Sequence, residues 1–219
     1  MLINNKQRDS RDKISINVQE TDSESLDSIK LLGVTIDNKL NFSEHINIMC
    51  KKAHQRIRRV LMRLKNLVPT VAKLHLFKAA ILPYLTYCHL TWHFCWASDE
   101  RKLECTQERG LRAVFRDSKS TYEELLKKAN LKTLYERRLQ DRACLMFKVK
   151  NDLCPPNVKN LFSLKSSTYN LRGTNFHIPR FNTVTYGKHS LRYIGPMLWN
   201  RLSTTLKNLL SLQSFKRVK

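Results

Sequence analysis

Ser43-Glu44-His45-Ile46-Asn47-Ile48-Met49-Cys50-Lys51-Lys52-Ala53-His54-Gln55-Arg56-Ile57-Arg58-Arg59-Val60-Leu61-Met62-Arg63-Leu64-Lys65-Asn66-Leu67 is the stretch whose reading decides the fold. At 100° per residue Ile46, Met49, Cys50, Ala53, Ile57, Val60, Leu61, Leu64 and Leu67 fall in one stripe, the mark of a helix with one face in a core. Lys51, Lys52, Gln55, Arg58, Arg59, Arg63 and Lys65 take the opposite face. Ser43 fits an N-cap, with Glu44 in the first turn. A charged helix face usually carries both signs and gains from pairs four residues apart. This face has no acid, so its cations repel one another and call for a polyanion.

The imbalance extends outward. His45 to Ser98 holds nine Lys and Arg and no Asp or Glu, and the chain after Asp152 holds eleven against none. The segments up to Glu44 and from Asp99 to Asp152 are mixed, six basic to eight acidic and fourteen to ten. The total is +22 in 219 residues, with a pI near 10.0. Such self-repulsion is relieved by an anionic partner. Nucleic acid is the commonest, since neutralised phosphates release condensed counterions. An anionic membrane surface and a ribosomal or nucleolar scaffold are the rivals.

Around this helix the reading is mainly α with a small N-terminal β piece. Ile14, Ile16 and Val18 alternate with polar residues as in a half-buried strand, Glu20 to Ser25 reads as a loop, and Lys30 to Ile36 reads as a second strand with a bulge or close approach at Gly33. A second apolar helix is expected from Val71 through Cys95, kinked or divided at Pro83. A third begins at Ser98-Asp99-Glu100, with Leu103, Leu111 and Val114 inward. Ser120-Thr121-Tyr122-Glu123 and Thr133-Leu134-Tyr135-Glu136 fit capping boxes opening two more helices. Beyond Cys154-Pro155-Pro156 the pattern is less regular: strand-like pieces at Phe176 to Ile178 and Thr183 to Tyr186, a helix from Leu191 to Leu202, and a basic tail. The domains are set at 1–42, 43–152 and 153–219.

Several chemistries find no support. Five glycines and no Gly-x-Gly-x-x-Gly or Gly-Lys-Ser/Thr run argue against a phosphate-cradling loop. Ala79 to Ser98 is uncharged, but Pro83, Thr86, His89, Thr91 and His93 favour a buried core helix over a membrane span. The start lacks an apolar leader core, so reduced thiols are expected. Cys88, His89, His93 and Cys95 are the densest group of potential metal ligands, yet one apolar run presents them poorly for tetrahedral zinc, and buried thiols with hydrogen-bonded histidines are the default. No Cys-x-x-Cys occurs. Two-metal phosphoryl transfer needs converging carboxylates, and no Asp-Asp pair is present. No catalytic and no metal-binding residue is assigned.

Lys30-Leu31-Leu32-Gly33-Val34-Thr35-Ile36-Asp37 through Ile46 resembles the block after the catalytic palm in reverse transcriptases of jockey-like non-LTR retrotransposons. The resemblance continues in Leu82-Pro83-Tyr84-Leu85-Thr86-Tyr87-Cys88, Gln107-Glu108-Arg109-Gly110-Leu111-Arg112-Ala113, Arg137-Arg138-Leu139, Thr185-Tyr186-Gly187-Lys188-His189-Ser190 and Gly195-Pro196-Met197-Leu198-Trp199-Asn200-Arg201-Leu202. Together these pieces cover the chain from Ile14 onward, and their order and spacing carry the specificity. Proline often follows the last block in such proteins, and Ser203 stands there instead.

The resemblance implies a primer-grip hairpin with Leu32 and Gly33, a helical thumb-like bundle, and a mixed C-terminal accessory region. Lys51, Lys52, Arg58, Arg59, Arg63 and Lys65 would hold the phosphates of RNA, DNA or an RNA:DNA duplex. The parent would be an RNA-directed DNA polymerase using Mg2+ on acids upstream of this sequence. This part would need no cofactor, would be inactive alone, and could pair with the palm. A domesticated nucleic-acid- or protein-binding scaffold and a poorly folded relic are the alternatives.

Overall fold

The computed structural model describes residues 16–18, 21–23, 26–64, 66–165 and 175–217. The chain is mainly helical with a small β portion and divides into two compact units, Met1–Leu134 and Tyr135–Lys219.

In the first unit β1 (Ile16–Val18) pairs antiparallel with β2 (Thr21–Ser23). The polar run expected as a loop therefore supplies a strand. Ile14, Glu20, Glu24 and Ser25 lie outside the described residues. The expected single strand from Lys30 to Ile36 is instead a hairpin, β3 (Ser28–Leu31) against β4 (Val34–Asp37), with Leu31 opposite Val34. Its two-residue turn is Leu32-Gly33, at φ 47° and 87°. Positive φ at both central positions suits the twist of paired strands, and glycine takes it at little cost.

Helix α1 (Ser43–Arg56) follows. Its N-cap is Phe42, left-handed at φ 58°, and not Ser43. Asp37 organises the approach: one carboxylate oxygen accepts the N–H groups of Lys39 and Asn41 at 3.0 Å each, the other that of Phe42 at 2.7 Å. Ser43 Oγ donates to Asp99 Oδ2 at 2.5 Å, tying α1 to a later helix. Ile46, Met49, Cys50 and Ala53 are buried as expected. After Arg56 the backbone widens into a π-helical segment, Ile57–Met62, which buries Ile57 and Leu61. The wider turn resets the register. Leu64 is consequently only half-buried and Leu67 is 79% exposed, so the stripe ends sooner than a constant 3.6 period predicts.

Three short pieces replace the long second helix: α2 (Thr70–Leu76), a π segment (Phe77–Ile81) and α3 (Leu82–Thr86). Pro83 sits in the first turn of α3, where a missing N–H costs least. Helix ends at Thr86, well before Cys95. In the turns that follow, Nδ1 of His89 meets Thr86 O at 2.5 Å, Nδ1 of His93 meets Leu90 O at 2.7 Å, and Trp92 Nε1 donates to Tyr87 O at 3.0 Å. These ring nitrogens serve backbone carbonyls that the helix leaves open.

Helix α4 (Ala97–Phe115) runs through the core with Leu103, Leu111 and Val114 fully buried. Gly110 lets the Phe77 ring lie against its backbone, where a Cβ would overlap the ring. In the loop after α4, Lys128 and then Ser120 hold the Asp117 carboxyl well below the usual carboxylate range. Helix α5 (Tyr122–Ala129) begins with a complete capping box, Thr121 with Glu124, one residue later than the expected Ser120 with Glu123. Tyr122 donates to Glu104 Oε2 at 2.6 Å, and burial followed by that carboxylate pushes its pKa up.

The second unit is built on α6 (Leu134–Lys150), whose start coincides with the unit boundary. It is followed by α7 (Pro156–Lys159), a single bridge between Leu164 and Phe176, a π segment (Val184–Lys188), α8 (Leu191–Arg201), α9 (Thr204–Lys207) and α10 (Leu212–Arg217). Of the two expected strand-like pieces, the first is reduced to that bridge and the second is π-helical. The core gathers Met146, Phe147, Phe176, Trp199 and Phe215. Asn200 clamps the bridge, accepting the Phe176 N–H and donating to its carbonyl, both at 2.9 Å. Ser203 is extended at φ −62° and ψ 151° as the N-cap of α9.

Candidate nucleic-acid interface

The cationic face of α1 and the π segment after it is exposed. Lys51, Lys52, Arg58, Arg59 and Arg63 all reach solvent, while Lys65 lies outside the described residues. Burial of Ile46, Ala53, Ile57 and Leu61 turns these cations outward and fixes their spacing along a rigid element.

Packing of α1 against α4 makes more of this face than one helix could. Two adjoining hollows run between α1 with its π extension and α4. The first is bordered by Lys51, His54, Lys102 and Arg109, the second by His54, Arg58, Arg109 and Arg112. His54 and Arg109 belong to both, so the hollows form one trough. Within it Lys102 is committed to Asp99 at 2.8 Å and to Asn47 at 3.1 Å, and Arg112 to Glu108 at 2.6 Å. Lys51, Arg58 and Arg109 have no such carboxylate among the described residues. Burial, and then the Arg109 charge, lower the His54 pKa, so this ring is neutral near pH 7. The surplus charge of the trough therefore belongs to Lys51, Arg58 and Arg109.

Arg109 was not singled out from the sequence, since it stands beside Glu108 on a helix of mixed charge. Only the juxtaposition of α1 and α4 makes it part of the cationic face. Arg56 has a different role: its guanidinium lies 4.2 Å from the Tyr84 ring centroid and donates to Ala80 O at 3.4 Å, joining α1 to α3 and the π segment before it.

Lys52 faces another way. It borders an apolar hollow with Gly33, His45, Pro83, Tyr84 and Tyr87, which brings it beside the tip of the β3–β4 hairpin. Leu32 is 83% exposed at that tip, and its carbonyl accepts the Tyr87 hydroxyl at 2.7 Å. Leu32 and Gly33 are thus held by Tyr87 close to α1. His45, behind them, accepts the Thr35 N–H on Nδ1 at 3.2 Å, and burial followed by the Lys52 charge depresses its pKa.

No protein family, curated protein or solved structure matches this chain.

Among the described residues no three His, Cys, Asp or Glu side chains are grouped to hold a metal ion, and no helix is long and apolar enough to cross a membrane. Cys88 is exposed and Cys95 half-buried in a turn. Asp37 and Asp99 are consumed in capping and helix-joining contacts. The chemistry available is that of a fixed, carboxylate-poor set of ammonium and guanidinium groups, suited to phosphodiester oxygens.

Proposed function

We propose that this chain binds nucleic acid through phosphates, as the primer-grip, thumb and C-terminal region of a jockey-like non-LTR reverse transcriptase. The observation that carries the proposal is the trough between α1 and α4, where Lys51, Arg58 and Arg109 line one continuous hollow and lack acid partners among the described residues. Supporting it are the exposed Arg59 and Arg63, the nearness of Lys52 to the Leu32-Gly33 tip, and the ordered motifs of the sequence. The bound species is an RNA:DNA duplex or structured RNA, gripped along its backbone without reading bases. The Mg2+ of such a polymerase needs converging carboxylates, and the acids among the described residues do not fit it. That chemistry belongs to the palm, and the sequence given supplies grip and position.

The test is equilibrium binding of the full chain to a labelled RNA:DNA duplex over a salt series. Replacing Arg58, Arg59 and Arg63 together with Ala weakens binding and reduces the slope of log K against log salt by about 3. Unchanged affinity and slope would remove this face from the interface.

A further inference from the structure

At the turn before α2 the first unit has a polar notch of about 340 Å³, bordered by Asn66, Thr70, Lys73 and Arg116. Lys73 is only 2% exposed. Its stem is packed away, while its ammonium is not buried and opens on the notch, with no hydrogen-bonding acceptor or carboxylate among the described residues. Arg116, left-handed at the end of α4, donates from Nη2 to Asn66 Oδ1 at 2.5 Å, which fixes the guanidinium and leaves its other N–H groups unspent.

Among the described residues no aspartate or glutamate borders the notch. The acid next to Arg116, Asp117, is occupied by Lys128 at 2.8 Å, by the Ser120 hydroxyl and by the Lys119 and Ser120 N–H groups. Lys207, also buried, has its ammonium hydrogen-bonded within the second unit. It donates to Asn200 O at 2.9 Å and to Asn175 Oδ1 at 3.1 Å. Lys73 has no equivalent. Two cations bordering one hollow with no acid among its described lining residues repel each other, and an anion between them relieves that repulsion. An oxyanion in the notch would meet both charges and the Thr70 hydroxyl.

We infer that the notch is a phosphate site, with Lys73, whose stem is buried, as its inner cation and Arg116 as its exposed one. The site does not require the α1–α4 trough to bind nucleic acid. The phosphate group can belong to a nucleic-acid backbone or to free phosphate or a nucleotide.

Thermal melting of the full chain in phosphate and in chloride at equal ionic strength tests it. Phosphate strengthens apolar burial in any protein, so the reading is the difference between wild type and variants. With phosphate about tenfold above its Kd, wild type gains about 4 °C more than Lys73→Met, which keeps the apolar stem and removes the charge. Arg116→Gln, exposed and outside the core, reduces the same gain and supplies the reading if Lys73→Met fails to fold. Equal gains in all three proteins overturn the site. Where the wild-type gain is specific, adding a short oligonucleotide assigns the source: displacement of bound phosphate, read by 31P NMR, indicates a nucleic-acid backbone, and retention indicates a free phosphate or nucleotide. Either result supports the site.

Discussion

His45 couples the β3–β4 hairpin to α1 through a ring nitrogen that must stay unprotonated to accept the Thr35 N–H. Its pKa is lower folded than unfolded, so below the ordinary imidazole value of about 6.5 the unfolded chain takes up the proton more readily. Stability from this group is therefore complete above that value and falls as pH drops through it. His54, also depressed, acts in the same direction. Chemical denaturation at pH 7 and pH 5 should show lower stability at pH 5, with a smaller difference in His45→Gln. Identical pH profiles in the two proteins would exclude the coupling. At the hairpin tip, Gly33→Ala places a Cβ on a residue at φ 87° and should cost about 1 kcal/mol, read from the denaturation midpoint. No loss would mean that the turn relaxes freely. The residue pattern alone read His45 as one residue of a helix and Gly33 as a bulge or close approach within a strand, and only the resemblance implied a hairpin at Leu32 and Gly33.

The elements were legible where periodicity alone decides. Ile46 to Leu61 share a face in both readings, as do Leu103, Leu111 and Val114 on α4. The reading failed where backbone geometry departs from a uniform repeat. The Leu32-Gly33 turn lies between apolar flanks without the Asn-Gly or Asp-Gly signal of a tight hairpin, so periodicity alone merged the two strands into one, and only the resemblance pointed to a hairpin there. The π segments Ile57–Met62 and Phe77–Ile81 shift the register without any sequence marker such as proline or glycine. Helix α4 carries its own prediction at Gly110. In an exposed helix Gly→Ala would gain about 1 kcal/mol, but here the new methyl meets the Phe77 ring. Gly110→Ala should lose stability on the scale of overpacking, about 1–3 kcal/mol, and Phe77→Leu in the same chain should restore part of it. A stabilised single variant would mean that the two elements are less closely packed than described.

For the whole molecule, charge is the governing quantity. Forty Lys and Arg against eighteen Asp and Glu make self-repulsion a standing cost, so raising sodium chloride from about 50 to 300 mM should increase the melting temperature while weakening nucleic-acid binding. A melting temperature indifferent to salt would show the charges to be compensated within the fold. The surplus of cations and the segments that hold it were legible from charge distribution alone. The lining of the trough was not, because Arg109 joins Lys51 and Arg58 only once α4 lies along α1; Arg56, held by Tyr84 and Ala80, stays apart from it.

The most direct test compares three single variants, Arg58→Ala, Arg109→Ala and Arg56→Ala, by the salt dependence of binding to an RNA:DNA duplex. Arg58→Ala and Arg109→Ala should each lower the slope by about 1, although they lie on different helical elements, and Arg56→Ala should leave it unchanged. A slope that drops for Arg56→Ala, or that is indifferent to Arg109→Ala, would contradict the trough as the binding surface.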